Sequence, residues 1–309
     1  MTKYNYLEKM SYIFNKPSIW TKILFVSILI LIIISLFNKD KIETFIDNTE
    51  FEQKQGSLIY DDFYADIYDY LVYSSIKNTF EIRAIENTNY PAEKSRVLDI
   101  GCATGHTVDM LKKKGFDTVG IDTSHAMIEK AKHNYPDNEY IEGDANNNMM
   151  FQQDSFTQIF CLYFTLYYFK DKTQFFSNCY KWLIPGGSLI VHVVDGQMFD
   201  PILPPANPLL MLTPQRYADE RITQSKLSFD DFNYISNFVY NGTNTKFVER
   251  FINKDTGKTF RKNEHLLYME PESEILEIAK NCGFIIQGKL DMIKAGYEYQ
   301  YLYILQKPQ

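Results

Sequence analysis

The sequence is short of arginine, cysteine and histidine, and each shortage narrows what the chain can do. Arginine occurs only at 83, 96, 216, 221, 250 and 261, and the 309-residue chain carries a formal net charge of -7. A phosphate-backbone partner calls for a basic face, so nucleic acid is not expected as substrate. The cysteines, at 102, 161, 179 and 282, include no Cys-x-x-Cys pair. Disulfide frameworks cluster in small loop-rich chains and zinc sites need closer spacing, which leaves buried free thiols and a reducing compartment. Five histidines form no His-x-x-x-His pair and no Ser/His/Asp set, so neither a metal nor a covalent nucleophile is expected. There are no internal repeats, and the only low-complexity block is Asn146-Asn147-Asn148.

Hydrophobic residues are plentiful, at 45% of the chain, with 23 tyrosines among them. After a tail over 1–18, residues 19–37 form an apolar run whose one charge, Lys22, stands at its leading edge. Roughly 20 residues span a bilayer, so the run reads as a single-pass transmembrane helix, with Trp20 and Lys22 suited to the interface. No small-residue cleavage site follows Leu36-Phe37-Asn38, which argues against a removed leader. Lys3, Lys9, Lys16 and Lys22 precede the run and Lys39, Lys41 and Lys54 follow it, a slight bias toward a cytosolic N-terminus. The reduced thiols and the chemistry argued below place the following domain in the cytosol instead, and they are given more weight. Residues 38–56 read as a polar linker and 57–309 as the catalytic domain.

Within that domain Val97-Leu98-Asp99-Ile100-Gly101-Cys102-Ala103-Thr104-Gly105 is an apolar strand that ends in an acid and breaks into a glycine-spaced turn. A helical pattern follows, with Val108 and Leu111 apolar and Gly115 as its stop. Such a unit brings bare backbone close to a ligand and aims a helix N-terminus at it. The spacing fits neither a dinucleotide fingerprint nor a phosphate loop. It resembles motif I of the class I S-adenosylmethionine-dependent methyltransferases, Asp-x-Gly-x-Gly-x-Gly, with Ala103 where the middle glycine usually stands.

Further landmarks continue the resemblance in order. Thr118 to Asp122 reads as a second strand ending in an acid, and Tyr140 to Ala145 as a third. Asp154-Ser155-Phe156 leads into a fourth, Thr157 to Leu162, and Trp182 to Gly187 precedes a fifth, Ser188 to Val194. The family often has Asp where Thr157 stands, a mostly structural position. The alternation of strands and helices predicts an α/β, doubly wound sheet. With a terminal hairpin over 284–306, the resemblance implies a seven-stranded, mostly parallel sheet whose last strand is antiparallel. Residues 197–270 are too long for an ordinary connection. They open on a proline-rich loop and carry strand-like runs at 232–240, 245–252 and 260–268, expected to form an antiparallel meander that shapes the substrate pocket.

The resemblance implies S-adenosylmethionine as cofactor and assigns roles by position. Gly101, Ala103 and Gly105 would pass under the methionine portion, with Asp99 ordering the loop or meeting the amino group through water. Asp122 would accept from both ribose hydroxyls, Thr123 and Met127 would flank the adenine, and Asp144 and Ala145 would meet its amino group. Cys161, Leu162 and Tyr163 would line the methyl-donor region. Tyr68, on a helical stripe with Tyr60, Tyr64, Ile67 and Leu71, would face the sulfonium with its ring. His192 and Asp195 read as a general base or as strand-end polar groups, and Tyr167 and Tyr168 as substrate contacts or packing. The expected activity is methyl transfer to an oxygen or nitrogen of a small molecule or a membrane-proximal acceptor. A tethered scaffold that binds cofactor without reacting is the rival reading, and the intact Asp99, Gly101, Gly105, Asp122 and Asp144 argue against it.

Overall fold

The structure, a computed structural model, describes residues 26–28, 51–86, 90–207 and 213–309. The chain divides into two compact units, Met1–Glu50 and Phe51–Gln309. In the first, residues 26–28 are helical; the remainder of the expected span 19–37 lies outside the described residues, as do the tail and residues 38–50. Among the described residues no helix is long and apolar enough to cross a membrane.

The second unit opens with β1 (Glu52–Gln55), α1 (Asp62–Val72) and α2 (Ser75–Glu86). Strand and helix then alternate through β2 (Arg96–Ile100), α3 (His106–Lys113), β3 (Asp117–Asp122), α4 (His125–Asn134), β4 (Glu139–Glu142), β5 (Phe156–Cys161), α5 (Lys172–Trp182) and β6 (Leu183–Val194). An excursion carries β7 (Gln224–Ser228), β8 (Phe232–Val239), β9 (Thr245–Asn253) and β10 (Thr259–Leu267). The chain finishes with α6 (Glu272–Asn281), β11 (Ile285–Asp291) and β12 (Gln300–Gln306).

The larger sheet has seven strands in the order β11-β12-β6-β5-β2-β3-β4. Strands β2 to β6 pair in parallel, while β12 runs antiparallel to β6 and β11. Residue-by-residue alternation explains why both faces are covered. Val97, Phe160, Ile190, Leu302 and Ile304 pack with Ile82 of α2 and Leu111 of α3. Their neighbours Leu98, Ile159, Leu189, Val191 and Leu305 pack on the opposite face with Phe175, Phe176 and Ile275 of α5 and α6. Thr157 ties the starts of two strands, its hydroxyl accepting from Arg96 N and donating to Arg96 O, both at 3.0 Å.

A second sheet, in the order β1-β10-β9-β8-β7, is formed by the excursion and one strand from outside it. Its meander follows the expected runs at 232–240, 245–252 and 260–268. Two strands exceed the expectation. β7 extends the meander, and β1 pairs in parallel with β10 inside the segment that reads as linker, so the folded unit begins before residue 57. Glu-Gln-Lys-Gln has no apolar residue to announce a strand; it is held by ladder bonds and by Lys54 Nζ, 2.5 Å from Asp61. Asp61 also caps α1, accepting from Tyr64 N at 3.1 Å, and both its oxygens accept from Nη1 of the buried Arg261 of β10, at 2.8 and 2.9 Å. The second sheet is thereby buckled to the helix that carries Tyr64 and Tyr68.

Candidate functional site

Where β2 and β3 end, the backbone turns back on itself. Gly101 N and Cys102 N both donate to Ile121 O, at 2.8 and 3.0 Å. Gly101 has φ +74, and a Cβ there would stand 2.6 Å from Thr165 Cγ2. Gly105 has φ +88 at the N-terminus of α3, where a Cβ would meet Tyr140 Oη at 2.5 Å. Both positions therefore require glycine for conformation and for space. Asp122 closes the turn, one oxygen accepting from Ala103 N at 3.1 Å and the other from Ser124 N at 2.9 Å. Burial pushes its carboxyl up, against the pull of those backbone N–H groups. Each oxygen keeps a further lone pair.

A cleft in three lobes opens on this turn. The first is lined by Asp122, Thr123, Asp144 and Ala145 with Gly101 and Ala103. Asp99, Leu162 and Tyr163 line the second, together with Lys77 and Glu81 of α2. There Lys77 Nζ lies 2.9 Å from Glu81 Oε2 and 5.2 Å from the centre of the Tyr163 ring. Glu81 Oε1 is buried with no hydrogen-bond partner among the described residues. Asp99 is 3% exposed. Burial, reinforced by the carboxylates of Glu81 and Asp122 and opposed by Lys77, raises its carboxyl to about 7.

The third lobe is an aromatic chamber. Tyr60, Tyr64, Tyr163, Phe164 and Phe199 wall it, with His265 of β10 among them. Tyr68 and Thr165 line all three lobes and mark where they meet. Tyr60 and Tyr168 line both the chamber and the first lobe.

Not every expected residue reaches the cleft. His192 is fully buried in β6, lines none of the lobes, and has its imidazole pushed down to about 3 by burial and by the charge of Lys77. Asp195 instead caps a turn, accepting from Gln197 N and Met198 N at 3.0 and 3.2 Å. Tyr167 is fully buried, its hydroxyl accepting from Val194 N at 2.7 Å. Met127 and Cys161 are core residues without exposed surface, and Gly105 stands behind the lobes as the helix cap. Tyr168 does reach the chamber.

The comparisons with known proteins agree with this geometry. A family model described as "Methyltransferase domain" matches residues 98–191. YqeM of Bacillus subtilis (strain 168), whose name assigns it provisionally to the methyltransferases, is 28% identical over 206 residues, covering 62% of this chain and 74% of its own length. Phosphoethanolamine N-methyltransferase of Plasmodium falciparum is 28% identical over 166 residues, covering 52% of this chain and 58% of its own length. An S-adenosylmethionine-dependent methyltransferase from Clostridium acetobutylicum superposes with a TM-score of 0.60 at 18% identity, covering 80% of this chain and 98% of that one. The amino pentose methyltransferase CalS10 of Micromonospora echinaspora, solved with S-adenosylmethionine bound, gives 0.51 at 19% identity, covering 80% and 91%. At these identities the solved structures establish the fold.

The chain carries a class I S-adenosylmethionine-dependent methyltransferase domain. Its cofactor is S-adenosylmethionine. The methyltransferase loop holds Ala103 at φ +46, the left-handed region that makes glycine customary there. That conformation costs about 1–2 kcal/mol for a residue with a Cβ.

Several cleft residues of this methyltransferase escaped the reading of the sequence. Lys77 and Glu81 look like an ordinary solvated pair four residues apart on a helix. Thr165 lies in a short turn with no pattern. On the meander a signal was available: Arg261, Asn263 and His265 alternate on the inward face of β10, and Glu249 points inward from β9. Polar side chains on the buried phase of a strand call for partners.

Proposed function

We propose that this methyltransferase transfers a methyl group to an oxygen or nitrogen of a small molecule held in the aromatic chamber. The observation that carries the reading is the shared wall at Tyr68 and Thr165, which line both a pocket of strand-end acids and glycines and an apolar room. S-adenosylmethionine supplies an electrophilic methyl on a sulfonium. Asp122 holds the ribose diol through the lone pairs its backbone bonds leave free, with Asp144 and Ala145 at the adenine and Thr123 beside it. Lys77 faces the carboxylate of the methionine end, while Asp99 and the unpartnered Glu81 oxygen face its ammonium. These opposite charges in one lobe suit a zwitterion. Tyr68 turns its ring toward the sulfonium. The domain's task is then to align two reactants and keep water out, the source of much of the rate in such transfers.

The chamber also bears on the acceptor. Among the described residues neither lysine nor arginine lines it, and Asp200 does. A phosphate-bearing acceptor, such as the one named for the Plasmodium relative, would find no cation there, so we assign this chain an acceptor without phosphate or carboxylate groups. Residues 19–37 anchor the enzyme in a membrane as a single pass with the domain on the cytosolic side. The length and apolar composition of that run and the cytosolic supply of cofactor support this arrangement.

Titration calorimetry of Asp122→Ala tests the site. Losing bonds to an ionised acceptor should weaken S-adenosylmethionine binding about tenfold or more. Unchanged affinity would remove the ribose assignment.

A further inference from the structure

We infer that the chamber takes an uncharged aromatic hydroxyl compound as methyl acceptor, and that a chain of side chains, Tyr60–Tyr168–His265–Glu249, carries its proton away. The inference rests on the methyltransferase reading and adds the acceptor class and the base to it.

The chain of contacts begins at Glu249, which has no exposed surface. Its Oε1 accepts from Tyr64 Oη at 2.8 Å and Tyr234 Oη at 2.7 Å. Its Oε2 accepts from Asn263 Nδ2 at 2.8 Å and lies 2.9 Å from His265 Nε2. Burial alone would push this carboxyl up, but His265 and the hydroxyl and amide donors outweigh it and hold the group below its ordinary value. Nε2 of His265 faces that carboxylate as a donor, and the relay takes the resting ring as neutral, with Nδ1 its acceptor. Nδ1 is 2.7 Å from Tyr168 Oη, which accepts in turn from Tyr60 Oη at 2.8 Å. Every donor in the series points toward Glu249. At its other end, Tyr60 and Tyr168 line both the chamber and the adenosine lobe, where acceptor and methyl donor must meet.

A brace between two sheets does not need this arrangement. Burying an ion is costly, and well-packed apolar residues hold a structure as firmly. An oriented imidazole with one free nitrogen, backed by a carboxylate, is what proton abstraction requires. The rings of Tyr60, Tyr64, Tyr168 and Phe247 surround His265, and Glu249 is the only carboxylate bonded to it among the described residues. Burial pushes the Tyr60 and Tyr168 hydroxyls up, so they relay a proton without ionising. The aromatic walls and the lack of lining cations select a neutral ring compound.

The transfer balances. The acceptor oxygen forms its bond to the methyl carbon, and the carbon–sulfur pair stays on sulfur. The O–H proton passes to Tyr60 Oη as the Tyr60 proton moves to Tyr168 Oη and the Tyr168 proton to His265 Nδ1. An imidazolium is left beside Glu249 and returns its proton to water when product leaves.

The test uses the full chain in detergent, loaded with S-adenosylhomocysteine, and 4-nitrophenol, whose phenolate absorbs visible light and whose phenol does not. At a pH where the free probe is mostly protonated, the wild type should show the phenolate band. In Tyr168→Phe and His265→Gln the apparent pKa of the bound probe should rise by about one unit or more, measured with S-adenosylhomocysteine held at saturation for each protein. Tyr168→Phe leaves all four bonds to Glu249 in place, so it separates the relay from the fold. The same band in all three proteins overturns the relay, and a probe that does not bind overturns the acceptor class. A full chain that fails to retain S-adenosylhomocysteine brings down the methyltransferase reading itself, and this inference with it.

Discussion

Asp99→Asn should stabilise the cofactor-free protein above neutral pH and change it little in acid. The Asp99 carboxyl titrates at about 7 in the folded chain, chiefly because it is buried. In the unfolded chain it returns to roughly 3.9, a difference of about three units or ~4 kcal/mol. Below the lower value both states hold the proton and the wild type suffers no loss. Between the two, the folded state binds a proton that the unfolded state does not, so stability falls as pH rises. Above the upper value the loss is complete. Asparagine has no such titration, so the variant should exceed wild type by about 2–4 kcal/mol near pH 8 and by little near pH 4. Urea unfolding at both pH values reads the difference. Parallel stability curves for the two proteins would refute the assignment of a protonated, buried Asp99.

The same carboxyl links stability to function. If the ammonium of the cofactor comes to face Asp99, binding near neutral pH should expel its proton. Calorimetry in two buffers of unlike ionisation enthalpy would show that release in wild type and not in Asp99→Asn.

Two further outcomes follow from the geometry. Gly101→Ala puts a Cβ at φ +74 and 2.6 Å from Thr165, the residue shared by all three lobes, so S-adenosylmethionine affinity measured by calorimetry should fall about tenfold while circular dichroism stays native; wild-type affinity would show that the turn yields freely. Removing residues 1–50 should leave a folded domain, whereas removing 1–56 also takes β1 and the Lys54–Asp61 bond and should cost about 2 kcal/mol, or roughly 4–8 °C in thermal unfolding. Equal melting temperatures for the two truncations would return residues 52–55 to the linker.

The parts of this protein legible in its sequence are those whose causes are local. Asp99, Asp122 and the glycines between them lie within one strand–helix–strand unit, and the pattern alone locates the two acids at the ends of β2 and β3. The meander was legible from its strand-like runs at 232–240, 245–252 and 260–268. What escaped has distant causes. Glu52 to Gln55 is a strand only because β10 offers it an edge. Lys77 and Glu81 became a buried pair because α2 folds against the end of β2. His192 misled for the opposite reason: its place at the end of a strand suggested a catalytic group, and the surrounding strands enclosed it.

The polar groups gathered under the second sheet have a consequence for how the two reactants are held. Arg261 grips Asp61 and Ile59 O, so β10, which carries His265, and the turn entering α1, which carries Tyr60, move as one piece. Tyr64 adds a bond from α1 to Glu249. The wall facing the cofactor and the wall facing the acceptor therefore share a single rigid mounting rather than closing from opposite sides. An in-line transfer depends steeply on the approach of two atoms, and misplacement by about 1 Å can cost a hundredfold in rate. A buried ionic network is a weak way to gain stability, but its bonds have fixed directions that apolar packing lacks. That direction is the property this site uses.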